Sequence, residues 1–397
     1  MADDSDTPTD DAAETAADAP RPDGERLVVG FDLGGTKMLS YLFDASRTGD
    51  PSEKKGGDKK TVGKGSYLKL ARARKKTHGQ RGRDAGLDRI IATIHESLEE
   101  GGRQPDELTA IGIGCPGPID MDDGVLLDPP NLPWGRTEVR KALHKEFGCP
   151  VSVLNDVDAG VFGEYRFGAG RKSRCLVGIF PGTGVGGGCV YQGAVFRGAT
   201  SSVMEVGHVR VDPEGPLCGC GERGCLEAVA SRLAIAANSA KAAYRGEAPH
   251  LFENAGADLK EIRSGAISDA VEAGDAAVVA IVDEAARQIG FAAAGLIHTI
   301  GPDVIVLGGG LVEALPDQIT KIVEKTAREH VMKAYQKSFE VRVAQLGDDA
   351  GALGAAAWAM KQIADEAAEN AQIELEKKLV RQLEKHIESE SESGTDD

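Results

Sequence analysis

The segment Leu27-Val28-Val29-Gly30-Phe31-Asp32-Leu33-Gly34-Gly35-Thr36-Lys37 decides the reading of the fold. Its apolar run has the length of a buried strand and ends beside an aspartate. A Gly-Gly turn follows, and Met38 to Phe43 is apolar again, so the spacing predicts a hairpin. The same plan returns further on. Cys175 to Phe180 reads as a strand, Gly182-Thr183-Gly184-Val185-Gly186-Gly187-Gly188 as a glycine-rich loop, and a short strand follows, to about residue 191. Strand, glycine turn, strand, found twice, points to two copies of one ancestral half. Around these hairpins, strands are predicted at 110–114, 151–154, 304–307 and 341–346. Helices are predicted at 87–100, at 138–147, over much of 228–294, and at 351–360. Such alternation defines an α/β protein with substantial sheets.

Composition narrows the classes. A chain of 397 residues with 41% hydrophobic content can build two domains or more around sizeable cores. A net charge of -17 repels duplex nucleic acid, so no nucleic-acid partner is expected. No apolar run approaches the ~20 residues of a membrane span. The first twenty residues lack the basic-then-apolar order of a signal peptide, so no membrane association and a cytoplasmic location are expected. Residues 1–25 are acidic, with almost nothing to bury, and are expected to form a disordered tail. The Lys/Arg-rich segment 46–83 reads as a solvated loop carrying a long hairpin. Residues 361–388 are good helix formers without Gly or Pro. Ile373, Val380, Leu383 and Ile387 fall roughly on one face, and an acidic tail runs to 397.

Several constellations carry chemistry. In Asp32-Leu33-Gly34-Gly35-Thr36-Lys37 the carboxylate at a strand end can hold Mg²⁺, and the glycines let backbone N–H groups approach phosphate oxygens. Thr36 and Lys37 add donors, although an ordinary tight turn has the same look. The second loop, with Gly182, Thr183, Gly184 and Gly186, offers a matching cradle, and an ATP triphosphate fits between two such halves. Asn155-Asp156-Val157-Asp158 closes a buried strand; it is either a helix cap or the seat of a carboxylate base for an attacking hydroxyl. His208, Cys218, Cys220 and Cys225 present one imidazole and three thiolates within eighteen residues, the donor set of a closed structural Zn²⁺ site. Cys115, Cys149, Cys175 and Cys189 sit in or beside apolar strands or turns and read as plain buried thiols. Glu205 and Glu227 flank the zinc loop; pinned by it they can accept sugar hydroxyls, and unpinned they are surface charges.

Taken in order from about residue 27 to 360, these blocks resemble the ROK family (repressors, open reading frames and kinases). The most specific are Glu205-Val206-Gly207-His208 and the Cys218–Glu227 block. The resemblance implies an actin-like, ribonuclease H-like fold of two α/β domains with a cleft between them. The small domain would span 26–157, with the basic insertion at about 46–83, and be completed by 347–360. The large one would span 158–346 and carry the zinc loop 205–227, with 361–397 as an appended helix and tail. The resemblance further implies a kinase that transfers the ATP γ-phosphate to a hexose 6-hydroxyl, most often glucose, with Mg²⁺ and a structural Zn²⁺. Asp156 matches the base. Asn155, Glu205, His208 and Glu227 match the sugar contacts, with a backbone contact at Gly117, and Gly309 and Gly310 match the loop beside adenine. The alternatives are kinases for N-acetylmannosamine, mannose, allose or fructose, and a sugar-sensing repressor. The repressor is disfavoured because only about 25 acidic residues precede Leu27, too few for a DNA-binding domain. Homodimers are common among such proteins. Asp158 stands where many relatives carry Asn, the basic segment is longer than usual, and the tail beyond 361 has no counterpart.

Overall fold

Strand β1 (Leu27–Leu33) is buried along its length except at Asp32, and it pairs antiparallel with β2 (Lys37–Thr48). The computed structural model describes residues 24–48, 66–129, 131–198 and 203–393. The acidic stretch 1–23, the basic stretch 49–65 and the terminal 394–397 lie outside the described residues. The described rest of the basic segment carries the expected hairpin and, beyond it, the start of a helix. It holds β3 (Tyr67–Lys76), paired antiparallel with β2, and the start of α1 (Arg83–Glu100). Ala71 and Ala73 turn inward in β3 while Arg72 and Arg74 turn outward, the period of two that a half-buried strand requires.

β4 (Leu108–Cys115) joins β1 in parallel. A small sheet of β5 (Ile119–Asp120), β6 (Val125–Leu126) and β7 (Thr137–Glu138) follows, then α2 (Val139–Phe147) and β8 (Val151–Asn155). The first large sheet has the order β3-β2-β1-β4-β8. After α3 (Asp156–Phe167) come β9 (Cys175–Pro181), β10 (Val185–Tyr191) and β11 (Ala194–Val195). The helices α4 (Leu226–Ala230), α5 (Arg232–Tyr244), α6 (Pro249–Ala255), α7 (Ser264–Glu272) and α8 (Ala276–Thr299) lead to β12 (Val304–Leu307). Then follow α9 (Gly310–Ala314), α10 (Pro316–His330), β13 (Glu340–Val343) and α11 (Ala350–Ser393). The second sheet runs β11-β10-β9-β12-β13. Each sheet therefore places an antiparallel hairpin and a third strand on one side, and two parallel strands on the other. The repeated hairpin in the sequence is the visible part of this repeated topology.

One apolar core surrounds β1, β4, β8, α3 and the start of α11; the second surrounds β9, β12, α8 and α10. Helix α11 lies on the first sheet because Gly30 and Gly112 are register partners on adjacent strands. A Cβ on either would overlap the α11 main chain, at the carbonyls of Ala352 and Ala355. The segments 351–360 and 361–388, expected as separate helices, are one continuous helix. Side chains up to Trp358 and Ala359 are buried and those from Ala364 to Glu384 are exposed, so the environment changes while the backbone does not.

Candidate active site

The site begins where β8 becomes α3. Asn155 is the N-cap of α3: its Oδ1 accepts from Val157 N at 2.9 Å and Asp158 N at 3.3 Å. The helix-cap reading of Asn155 is therefore realised. Its amide nitrogen remains on the other side, over Gly117, where an added Cβ would lie 3.0 Å from Nδ2. Asp156 is the first residue of α3, and its Oδ1 accepts from Val157 N at 2.9 Å.

Asp156 faces other acids. Burial first, then the charge of Asp32, then that of Glu205 raise its pKa to about 7, against a lowering by the Val157 N–H. Asp32 lies against the first turn of α11, where a Cβ on Gly351 would sit 3.2 Å from its Cγ. Burial raises Asp32 to about 6, with Lys37 opposing and Asp348 assisting. Both carboxylates sit at helix N-termini, whose dipole favours the charged form by about 1 kcal/mol or less. The upward shifts exceed that, so desolvation wins. Asp158, two residues further along α3, is buried; burial, Asp156 and Glu205 raise it to about 8. Its Oδ2 has no partner among the described residues.

The first glycine turn is exposed and held from beside. Gly34 N donates to Lys37 O at 3.0 Å, and Thr77 donates from N to Thr36 O and from Oγ1 to Gly34 O. Lys37 Nζ lies 3.8 Å from Asp348 Oδ2. In the second turn Gly182 N donates to Gly184 O at 2.8 Å. Gly184 lets the Glu227 carboxylate reach the loop: Glu227 Oε2 accepts from Val185 N at 3.0 Å, and a Cβ on Gly184 would overlap that oxygen. Gly186 differs from the expectation of a phosphate contact. It lies inside β10 opposite Phe180, and its missing side chain makes room for Val157 of α3. Gly187 likewise admits Met204 and Val206, and Gly188 admits Val161 and Asp158. Gly309, at φ +97°, caps α9 and packs on the carbonyl of Pro181, so Gly309 and Gly310 stand beside the end of β9.

Glu205 and His208 bracket a single helical turn, and Gly207 presses on the β10 backbone at Val185. The four sequence-selected donors come together: one atom each of His208, Cys218, Cys220 and Cys225 lies within 4.8 Å of all the others. Cys218 Sγ is 3.7 Å from His208 Nδ1, and Cys220 Sγ is 3.7 Å from Cys225 Sγ. Bonds of about 2.3 Å to a tetrahedral ion put sulfur ligands about 3.8 Å apart, so the donor set fits Zn²⁺. All seven cysteines are free thiols. Cys218 Sγ also lies 3.9 Å from Glu227 Oε1, so one carboxylate touches the cysteine cluster and the glycine loop together. Sequence reasoning missed Arg232, whose Nη2 donates to Thr183 Oγ1 at 3.3 Å; it has no motif of its own. A groove of about 600 Å³ beside α11 at Trp358, Gln362, Ile363 and Glu366 contains none of these residues. Its Arg197 is engaged with Asp122 and its Arg140 with backbone carbonyls.

Two like sheets with helices packed on them, and acids at the facing helix ends, are the actin-like sugar kinase fold. The ROK family profile matches residues 28–362, and the chain belongs to the ROK family. It is 34% identical to a glucokinase of Thermotoga maritima over 83% of this chain and 96% of that one. A crystal structure of a ROK family glucokinase from Streptomyces griseus, in complex with glucose and AMPPNP, superposes with a TM-score of 0.68 at 30% identity. That match covers 84% of this chain and 99% of that one. A xylose repressor of Caldicellulosiruptor bescii is 28% identical over 67% of this chain and 66% of its own length.

Proposed function

We propose that this chain is an ATP-dependent hexose kinase that transfers the γ-phosphoryl group to the 6-hydroxyl of glucose. The observation that carries the reading is Asp156, a carboxylate raised to about 7 at the head of α3 beside Asp32 and Glu205. A carboxylate of ordinary basicity accepts a hydroxyl proton poorly; one near neutrality is matched to the task. The glucokinase of Thermotoga maritima and the glucose- and AMPPNP-bound structure from Streptomyces griseus support the same activity and sugar. The higher identity and fuller coverage toward glucokinases favour a kinase over a sugar-sensing regulator.

In this reading the sugar is held by Asn155 Nδ2, the Gly117 backbone, Glu205, His208 and Glu227. Asp156 accepts the 6-hydroxyl proton as that oxygen attacks the γ-phosphorus. The polyphosphate lies between the turn of Gly34, Gly35, Thr36 and Lys37 and the turn of Gly182, Thr183 and Gly184, with Gly309 and Gly310 beside the base. Asp32 would hold Mg²⁺, which supplies charge neutralisation on the phosphoryl oxygens when bound. Zn²⁺ on His208 and the three thiolates would hold the loop that carries Glu205 and Glu227. Reduced thiols, ATP and sugar phosphorylation, the entry to glycolysis, go with a cytoplasmic location. The test is a coupled assay of ADP release against glucose, mannose, fructose, allose and N-acetylmannosamine. Glucose is expected to give the highest kcat/KM, and an absence of sugar-dependent ADP release would overturn the reading.

A further inference from the structure

Arg232 opens α5, directly after its N-cap Ser231, whose Oγ accepts from Ala234 N at 3.1 Å. Its backbone N–H donates to Gly182 O at 2.9 Å, and its guanidinium donates through Nη2 to Thr183 Oγ1 at 3.3 Å. The residue is thus tied twice to the second glycine turn, once by main chain and once by side chain. Two features of this placement lack a structural reason. A cation at a helix N-terminus faces the positive end of the helix dipole, where an acid is the favourable choice. The first turn of α5 contains no acidic residue, and none of the ion pairs among the described residues includes Arg232. A neutral hydroxyl is a weak partner for a group with five donors, and the donors beyond Nη2 have no hydrogen-bond partner among the described residues.

The surroundings supply the reason. Asp32, Asp156, Glu205 and Glu227 gather about the site, and Lys37 faces Asp348 across 3.8 Å. A polyphosphate entering this acidic surround needs a cation that no protein carboxylate neutralises. We propose that Arg232 is a nucleotide-phosphate ligand, its guanidinium moving from Thr183 onto the phosphate oxygens at the Gly182–Gly184 turn. The helix end that opposes the bare cation then favours the anion it holds, and the planar fork suits phosphate oxygens. This proposal rests on the kinase reading and adds a binding residue to it.

Calorimetric titration of the full chain with ADP and, separately, with adenosine tests it in wild type, Arg232→Gln and Arg232→Lys. Arg232→Gln is expected to weaken ADP by about ten- to a hundredfold, the size of a charged hydrogen-bond loss. Adenosine affinity should be unchanged, Arg232→Lys should recover part of the ADP affinity, and the salt dependence of ADP binding should fall in Arg232→Gln. Equal ADP affinity in wild type and Arg232→Gln would overturn the assignment. So would parallel losses for ADP and adenosine, the mark of a purely structural role. If Arg232→Gln unfolds, Arg232→Lys decides: ADP and adenosine affinities both equal to wild type, with an unchanged salt slope, would count against it. Wild-type protein that binds neither ADP nor ATP would overturn the kinase reading together with this one, a result separate from any variant effect.

Discussion

Glu227 Oε2 accepts the Val185 N–H at 3.0 Å, and the other oxygen of the same carboxylate lies 3.9 Å from Cys218 Sγ. One side chain therefore joins the cysteine cluster to the strand that begins after the second glycine turn. Gly184→Ala would place a methyl group on that carboxylate oxygen. The flexible glutamate can swing away, so the fold should survive while the Val185 hydrogen bond is lost. We expect KM to rise for both ATP and sugar, with a melting temperature within a few degrees of wild type. A variant with both KM values unchanged would remove the coupling between loop and cluster.

Asp156→Asn keeps the shape of the cap region and removes the proton acceptor. Loss of a general base costs ~10²–10⁴-fold in rate. Sugar affinity should fall much less than kcat. In the wild type the base must be deprotonated, so kcat/KM for sugar should rise about tenfold per pH unit below about 7 and level off above it. Near-normal kcat in Asp156→Asn, or a flat profile from pH 5 to 8, would reject Asp156 as the base.

Much of this site can be read from residue type and spacing, because its chemistry depends on short local segments. Asp32 at a strand end, the Asn155-Asp156 pair and the four metal donors each identify themselves within a few residues. The purpose of Gly186, Gly187 and Gly188 does not. Glycine serves close ligand approach and close packing alike, and only the crossing of α3 and the 203–208 segment over β10 shows that packing applies here. Arg232 escaped for a related reason: its role depends on where the start of α5 meets a turn almost fifty residues earlier. The division at residue 360 was misread because polarity changes there while helix propensity does not.

Removal of zinc should act locally. Cys220→Ser deletes one of four ligands, and the closed cluster is then expected to lose its ion. Segment 205–227 contains few apolar residues, so a bound metal is expected to supply much of its folding free energy. Elemental analysis should find one zinc per wild-type chain and much less in Cys220→Ser. The variant should melt lower and show a raised sugar KM while retaining ADP binding. A metal-free preparation with full activity would contradict this.

Beyond the family match, α11 leaves the body of the protein. Ile373, Leu375, Leu379, Val380 and Leu383 are 41–61% exposed. A chain ending at Glu366 keeps the buried part of α11 on the sheet. Its kcat and unfolding midpoint are expected to match those of the full chain, since surface deletions away from buried contacts cost little. Loss of activity in the shortened chain would place the exposed helix in the working enzyme.

Asp158 provides a pH signature of its own. Folded, it keeps its proton up to about pH 8, because burial and the charges of Asp156 and Glu205 oppose ionisation; unfolded, it titrates near 3.8. Between those values the folded chain binds more protons than the unfolded chain, so stability falls as pH rises. Asp32 and Asp156, raised to about 6 and 7, contribute in the same direction. Asn has no proton to lose, so Asp158→Asn removes one share of the slope, at most about 1.4 kcal/mol per pH unit. The variant should therefore gain little over wild type at pH 4 and progressively more toward pH 8. Urea unfolding at pH 4, 6 and 8 measures this directly. Parallel curves for the two proteins would mean that Asp158 ionises in the folded state as readily as in the unfolded one. In that case its unpartnered Oδ2 is not sealed from water as its burial indicates.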